Sequence, residues 1–283
     1  MTPGELFRII VRRPGNLIGL LILIVYVITA IAGPMLYPPI LVPHPSAIYS
    51  APSWAHPLGA DYAGRDVLAL IVIGTRSVLE VAFMAAVITV FVGVLIGLVS
   101  GFTGGRTDAA LMRIVDAVLT VPTFPLLILL ASLAVLTNPL LIACLLSITA
   151  WGGLARSVRS QVLSYREREY IEAAKSLRLS TAHIIFREIT PNLMPYIIMN
   201  LMLNVTNAIY AEVGLFFLGV LPFKSDNWGV MLNLAYTQGG AMYSSKSMFY
   251  LISPMAAIMI LQLGIVLVLN VLEEIFNPRL RVG

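Results

Sequence analysis

Six stretches of this chain are almost continuously apolar: residues 17–36, 77–102, 107–136, 139–154, 191–218 and 248–275. Crossing about 30 Å of hydrocarbon takes roughly 20 helical residues, so each of the six is read as a membrane span, the fourth being the shortest. In lipid only a helix or a closed barrel satisfies its own backbone, and the chain lacks the alternating ten-residue segments of a barrel. The pattern therefore predicts an all-α membrane protein with six transmembrane helices. Its order is a tail at 1–16, a first span at 17–36, a loop at 37–76 and a five-helix core at 77–275. That core includes a polar loop at 161–190, and a tail follows at 276–283.

Residues inside the spans refine this outline. Gly93, Gly97 and Gly101 recur every four residues and make a flat ridge for close helix packing. Pro122 and Pro125 each remove a backbone donor and predict a kink in the third span. Asp116 follows Arg113 by three residues, a spacing that allows an ion pair near the inner interface. In the fifth span Asn200, Asn204 and Asn207 share one helix face, which must meet another helix or a watery path. Glu212 lies near the outer end of that span, where a loop cation is a possible partner; no transport role is assigned to it.

The loop at 37–76 is dense in proline, with Pro38, Pro39, Pro43, Pro45, Pro52 and Pro57, and reads as extended chain and turns. An amphipathic piece ending at Arg76 is expected to lie along the interface before the second span begins. His56, Asp61 and Asp66 form a poor ligand set, so capping and turn chemistry are preferred over a metal. Ala30, Ile31 and Ala32 resemble a cleavage site after a leader, but the apolar run continues through Leu36, which favours a retained span.

Composition agrees with the pattern. The chain is 59% hydrophobic and 11% charged, with a mean hydropathy of +0.91, too much apolar surface for a water-exposed globule. A net charge of +4 suggests nucleic acid only until the basic residues are placed. Fourteen of the eighteen Lys and Arg fall on one side if the N-terminus is cytoplasmic: Arg8, Arg12, Arg13, Arg106, Arg113, seven from Arg156 to Arg187, Arg279 and Arg281. The opposite side holds Arg65, Arg76, Lys224 and Lys246, which puts both termini inside. The lone Cys144 has no internal partner.

The polar stretch at 161–195 is the part built for a soluble partner. Tyr170, Ala173, Ala174 and Leu177 recur at three and four residues and predict a short amphipathic helix, whose small alanines let a partner's groove approach. Ser180 is a suitable N-cap for a second short helix with Ile185 and Ile189 on one side. The bland alternative is a pair of helices lying on the membrane surface.

At Glu172-Ala173-Ala174, Ile189 and Pro191 the chain resembles the inner-membrane permease subunits of binding-protein-dependent ABC importers. Within them it is most similar to the second permease of the dipeptide, oligopeptide and nickel branch. Further matching motifs are His56-Pro57-Leu58-Gly59, Gly64-Arg65-Asp66, Gly101 to Gly105 with Asp108, Ala211-Glu212, Phe217-Leu218-Gly219, Trp228-Gly229 and Asn277-Pro278-Arg279-Leu280, so the resemblance covers about residues 14–280. Arg178 stands where the family has glycine, and a left-handed backbone there costs arginine about 1–2 kcal/mol.

The resemblance implies the type I importer permease fold with cytoplasmic coupling helices, and half of a translocation pathway completed by a homologous second permease. It implies two cytoplasmic ATPases docked at Tyr170, Glu172, Ala173, Ala174, Leu177 and Arg178, and an extracytoplasmic binding protein that delivers peptides, an oligosaccharide or nickel. No cofactor is expected in this chain: ATP and Mg belong to the partner subunits, since no phosphate loop and no Gly-Lys pair occur here. The other readings are an ion-coupled secondary transporter and a membrane anchor without transport; the acids Glu80, Asp116 and Glu212 lie toward span ends, which disfavours the former.

Overall fold

A computed structural model describes residues 14–37, 42–134, 136–222, 227–238 and 247–276, and no strand occurs among them. Arg8, Arg12, Arg13, Pro38, Pro39, Lys224, Lys246 and the Asn277 to Leu280 motif lie outside the described residues. The helices are α1 (Pro14–Leu36), α2 (Val67–Thr103), α3 (Gly105–Thr120), α4 (Thr123–Leu133), α5 (Pro139–Arg166), α6 (Glu169–Ser176), α7 (Thr181–His183), α8 (Thr190–Phe217), α9 (Trp228–Thr237) and α10 (Met248–Phe276).

Four of them, α1, α2, α5 and α10, are long and apolar enough to cross a membrane, and the pair α3 and α4, bent by 82°, is apolar enough to be a fifth when counted as one broken span. The break falls at Val121 and Pro122, where the sequence placed its kink. The sixth expected span, α8, has the length, at 28 residues, but not the apolarity, because Asn200, Asn204, Asn207 and Glu212 interrupt it.

Two expected boundaries move. The piece ending at Arg76 is no separate interfacial helix but the opening turns of α2, which runs unbroken for 37 residues from its Asp66 cap, where a carboxylate oxygen accepts from Ala69 N–H. The loop expected to begin at 161 starts later, because α5 continues through Arg166.

The α2–α5 contact is the spine of the bundle, and its closeness comes from the glycine ridge. A Cβ on Gly97 would sit 2.6 Å from Val158 Cβ and 2.7 Å from the Ala155 carbonyl, and one on Gly101 would sit 2.8 Å from Val162 Cβ. Gly93 is slightly looser, at 3.0 Å from the Trp151 carbonyl. Ser147 crosses the same interface and donates to the Ala85 carbonyl at 3.0 Å.

The first helix belongs to this body. Its Gly19 packs on Leu267 and Gly264 packs on Ile22, while the Tyr26 hydroxyl donates to the Ala257 carbonyl at 2.6 Å. Ala30, Ile31 and Ala32 lie inside α1, which continues to Leu36.

The loop before α2 is held by its own polar groups. Buried Asp61 accepts from Ala63 N–H, Arg65 N–H and the Arg65 guanidinium, which also lies over the Tyr62 ring. Asp61 and Asp66 thus serve turn and cap, and His56 approaches Asp66 at 3.6 Å.

Candidate functional site

The end of the bundle that bears α6 is built on a second apolar core. Val158 and Val162 of α5, Leu98 of α2, Ile171 and Ala174 of α6, Ile184, Ile185 and Ile189, and Leu193 of α8 pack together, and Leu201 touches both this core and the larger one beyond it. Ile171 is fully buried and Ala174 is 6% exposed. With a residue every 100°, Tyr170, Ala173 and Leu177 fall on the adjoining flank, which is open, Leu177 at 75% exposure. The expected stripe is thereby split: Ala174 seats the helix, and Ala173, beside exposed Glu172, is the small residue presented outward.

Local chemistry fixes the helix at both ends. Glu169 and Glu172 lie in the first turn and Lys175 in the last, each favourable to the helix dipole. Beyond the last turn the Leu179 N–H reaches the Ala174 carbonyl at 3.2 Å and the Arg178 N–H reaches the Lys175 carbonyl at 2.9 Å. This is a Schellman ending, which needs a left-handed residue at its turn, and Arg178 supplies it with φ +56°. Arg178 thus holds a conformation that glycine adopts without strain. Partial burial, and next the neighbouring Tyr165, raise the Tyr170 phenol above its ordinary value.

Ser180 then caps the following turn, accepting from the His183 N–H at 3.2 Å, as its sequence position indicates. Residues Ile184–Ile189 form a widened π turn leading into Pro191. Proline has no N–H to offer and its ring crowds the carbonyl four residues back, so the wider turn accommodates it. The Thr190 hydroxyl donates to the Ile185 carbonyl at 2.8 Å, and the Tyr165 hydroxyl donates to the Asn192 carbonyl at 3.2 Å, tying the two legs of the loop.

A polar clamp stiffens the same end. Arg159 of α5 donates through Nε to Asp108 Oδ1 at 2.5 Å and through its terminal nitrogen to Oδ2 at 2.6 Å, and Ser100 of α2 also donates to Asp108. Three helices meet on one carboxylate. Nothing in the spacing of Ser100, Asp108 and Arg159 along the chain announces this. Asp116 is a correction: its partner is Arg156 on α5, at 2.5 Å, and not Arg113, because α3 lies along α5 and presents Asp116 to it.

The remaining expected residues lie elsewhere. Asn200 and Asn204 donate to the carbonyls of Tyr196 and Asn200 one turn back, and Asn207 is exposed. The stripe therefore bonds along its own helix and leaves its outer side open. Glu212 is fully buried at the far end and accepts from the Asn227 amide at 2.7 Å, so its partner is a neutral amide where a cation was considered. Asn227 also caps α9, a helix the sequence did not show.

Residues 93–282 match the family described as the binding-protein-dependent transport system inner membrane component. The dipeptide transport system permease protein DppC of Bacillus subtilis is 40% identical over 221 residues, 76% of this chain and 68% of that protein. The oligopeptide transport system permease protein OppC of the same organism is 35% identical over 232 residues, 81% of this chain and 74% of that protein. A putative peptide permease of Brucella ovis is 35% identical over 236 residues, 82% of this chain and 76% of that protein. The chain belongs to the binding-protein-dependent transport family: it is a multi-pass membrane permease subunit of an ABC importer.

Proposed function

We propose that this subunit forms half of a translocation pathway for peptides or a related solute, an oligosaccharide or nickel, and is moved by separate ATPases that grip α6. The pathway is completed by a homologous second permease and fed by an extracytoplasmic binding protein. It sits in the inner membrane with both termini and the α6 end in the cytoplasm, following the skew of its basic residues. ATP and Mg act on the partner subunits, and this chain contributes no catalysis. Peptide cargo is favoured by the named roles of DppC and OppC.

The observation that carries this reading is the two-sidedness of α6. Ile171 and Ala174 lock it into the core shared by α2, α5 and α8, while Tyr170, Ala173 and Leu177 stay open. A load applied to that open face is transmitted to three long helices through packed side chains rather than a slack linker. ATPase closure then converts the pathway between inward and outward access.

The test is site-specific crosslinking. Ala173→Cys, in a Cys144→Ser background, is expected to crosslink to an ATPase subunit in the assembled transporter, with a yield that changes with nucleotide. Labelling of that cysteine only from the outer face, or capture of lipid alone, overturns the proposal. Uptake of a labelled dipeptide or oligopeptide that depends on ATP and resists ionophores separates this reading from an ion-coupled carrier.

A further inference from the structure

A groove of about 660 Å³ opens on the flank of the bundle where α1 diverges from α2, α8 and α10. Val27, Ile31, Leu79, Phe83, Met202 and Leu261 are among the residues that make its walls almost wholly apolar. The volume falls in the range of about 300–1,000 Å³ that holds a small amphiphile. Ile31 and Phe83 are more than half exposed, so the slot is open sideways, toward the acyl layer. Two charged side chains, Arg76 and Glu80, lie on the same wall.

Their depth follows from the helix. Asp108, Arg159 and Ser100 mark the charged boundary at the α6 end, beside Gly101. Counting from Gly101 at 1.5 Å per residue puts Glu80 about 32 Å and Arg76 about 37 Å away along α2, roughly one hydrocarbon thickness. Both charges therefore stand at the headgroup layer of the opposite leaflet. Among the described residues neither takes part in an ion pair, although they are four apart on one helix. Arginine preceding glutamate is the weaker order for such a pair, which leaves both charges available.

We propose that this groove is a phospholipid site, and that its occupant is a lipid bearing a phosphate and a primary ammonium, a phosphatidylethanolamine. Arg76 receives the phosphate in a charge-assisted hydrogen bond. Glu80, about 5–6 Å along the helix, accepts from the ammonium at the end of the two-carbon arm. One acyl chain fills the slot. A choline headgroup has no N–H for Glu80, and a glycerol headgroup offers it only neutral hydroxyls in place of a charged ammonium donor.

The test uses the assembled transporter in detergent, given an equimolar mixture of phosphatidylethanolamine, phosphatidylcholine and phosphatidylglycerol and read by native mass spectrometry. The wild type is expected to retain phosphatidylethanolamine about tenfold over the other two. Arg76→Gln should lower retention of all three about tenfold. Glu80→Gln should abolish the preference while phospholipid stays bound. Phe83→Asn, in the apolar part of the slot, should reduce retention with the charges intact. Equal retention in wild type and Arg76→Gln overturns the proposal. So does displacement by millimolar inorganic phosphate, which would make Arg76 a site for free anions, or efficient crosslinking of Ile31→Cys to a helix of the second permease.

Discussion

Arg178 and Gly219 hold the same place in two copies of one helix ending. After α8, Gly219 with φ +71° donates to the Phe216 carbonyl while Val220 donates to Leu215; after α6, Arg178 with φ +56° donates to Lys175 while Leu179 donates to Ala174. One ending uses the residue that adopts this conformation freely and the other forces a side chain into it. Replacing Arg178 by glycine removes about 1–2 kcal/mol of strain and adds about 0.4–1 kcal/mol of chain entropy to the unfolded state. Arg178→Gly should therefore slow exchange of the Leu179 amide hydrogen severalfold, read by hydrogen-exchange mass spectrometry, and Arg178→Val should speed it. The opposite order would show that the arginine side chain holds the turn by contacts of its own.

The glycine ridge makes a graded prediction. Alanine at Gly97 collides with both a Cβ and a backbone carbonyl of α5, at Gly101 slightly less, and at Gly93 least. Overpacking of this kind costs about 1–3 kcal/mol. Thermal stability of the purified transporter should fall in the order Gly93→Ala, Gly101→Ala, Gly97→Ala, from mildest to most severe. A flat series would mean that α2 and α5 separate easily.

Two ion pairs join α3 to α5 and should behave differently. Asp108 accepts two bonds from Arg159 and one from Ser100 in a mostly buried setting, whereas Asp116 and Arg156 are each more than half exposed. Asp108→Ala should cost about 2 kcal/mol, and Asp116→Ala less than about 1 kcal/mol. Melting at low and high salt checks this, with only the Asp116 contribution fading as salt rises.

At the far end, Asn227 joins α9 to α8 through Glu212. Glu212→Gln keeps an acceptor for the Asn227 amide and should be nearly neutral in stability. Asn227→Ala leaves the fully buried carboxyl without that donor and should cost about 1–3 kcal/mol. Comparable losses in both variants would show that the charge, not the hydrogen bond, matters there.

Legibility followed range of interaction. Apolar runs, the break at Pro122, the glycine ridge and the Ser180 cap were readable because each depends on neighbours within a few residues or on the lipid itself. Asp116 pairs with Arg156, forty positions away on α5, although the local spacing points to Arg113. Ala173 and Ala174 looked equivalent in the pattern; only the placement of Ile171 against Val158 and Val162 decides which one faces out. The segment after α8 mixes Gly, Asn and Trp without a long period, so α9 is not legible locally; it is seated by a distant contact, Trp228 donating to the Ile71 carbonyl at 3.1 Å. The opening turns of α2 read as a separate element because Arg76 interrupts the apolar run without interrupting the helix.

The most direct measurement is the ratio of solute taken up to ATP hydrolysed in proteoliposomes carrying Ala173→Trp alongside wild type. A bulky ring on the open face of α6 should abolish uptake while hydrolysis continues uncoupled, or should strip the ATPase subunits from the purified complex. Wild-type uptake at the wild-type ratio of transport to hydrolysis would contradict the claim that α6 is where the motor grips.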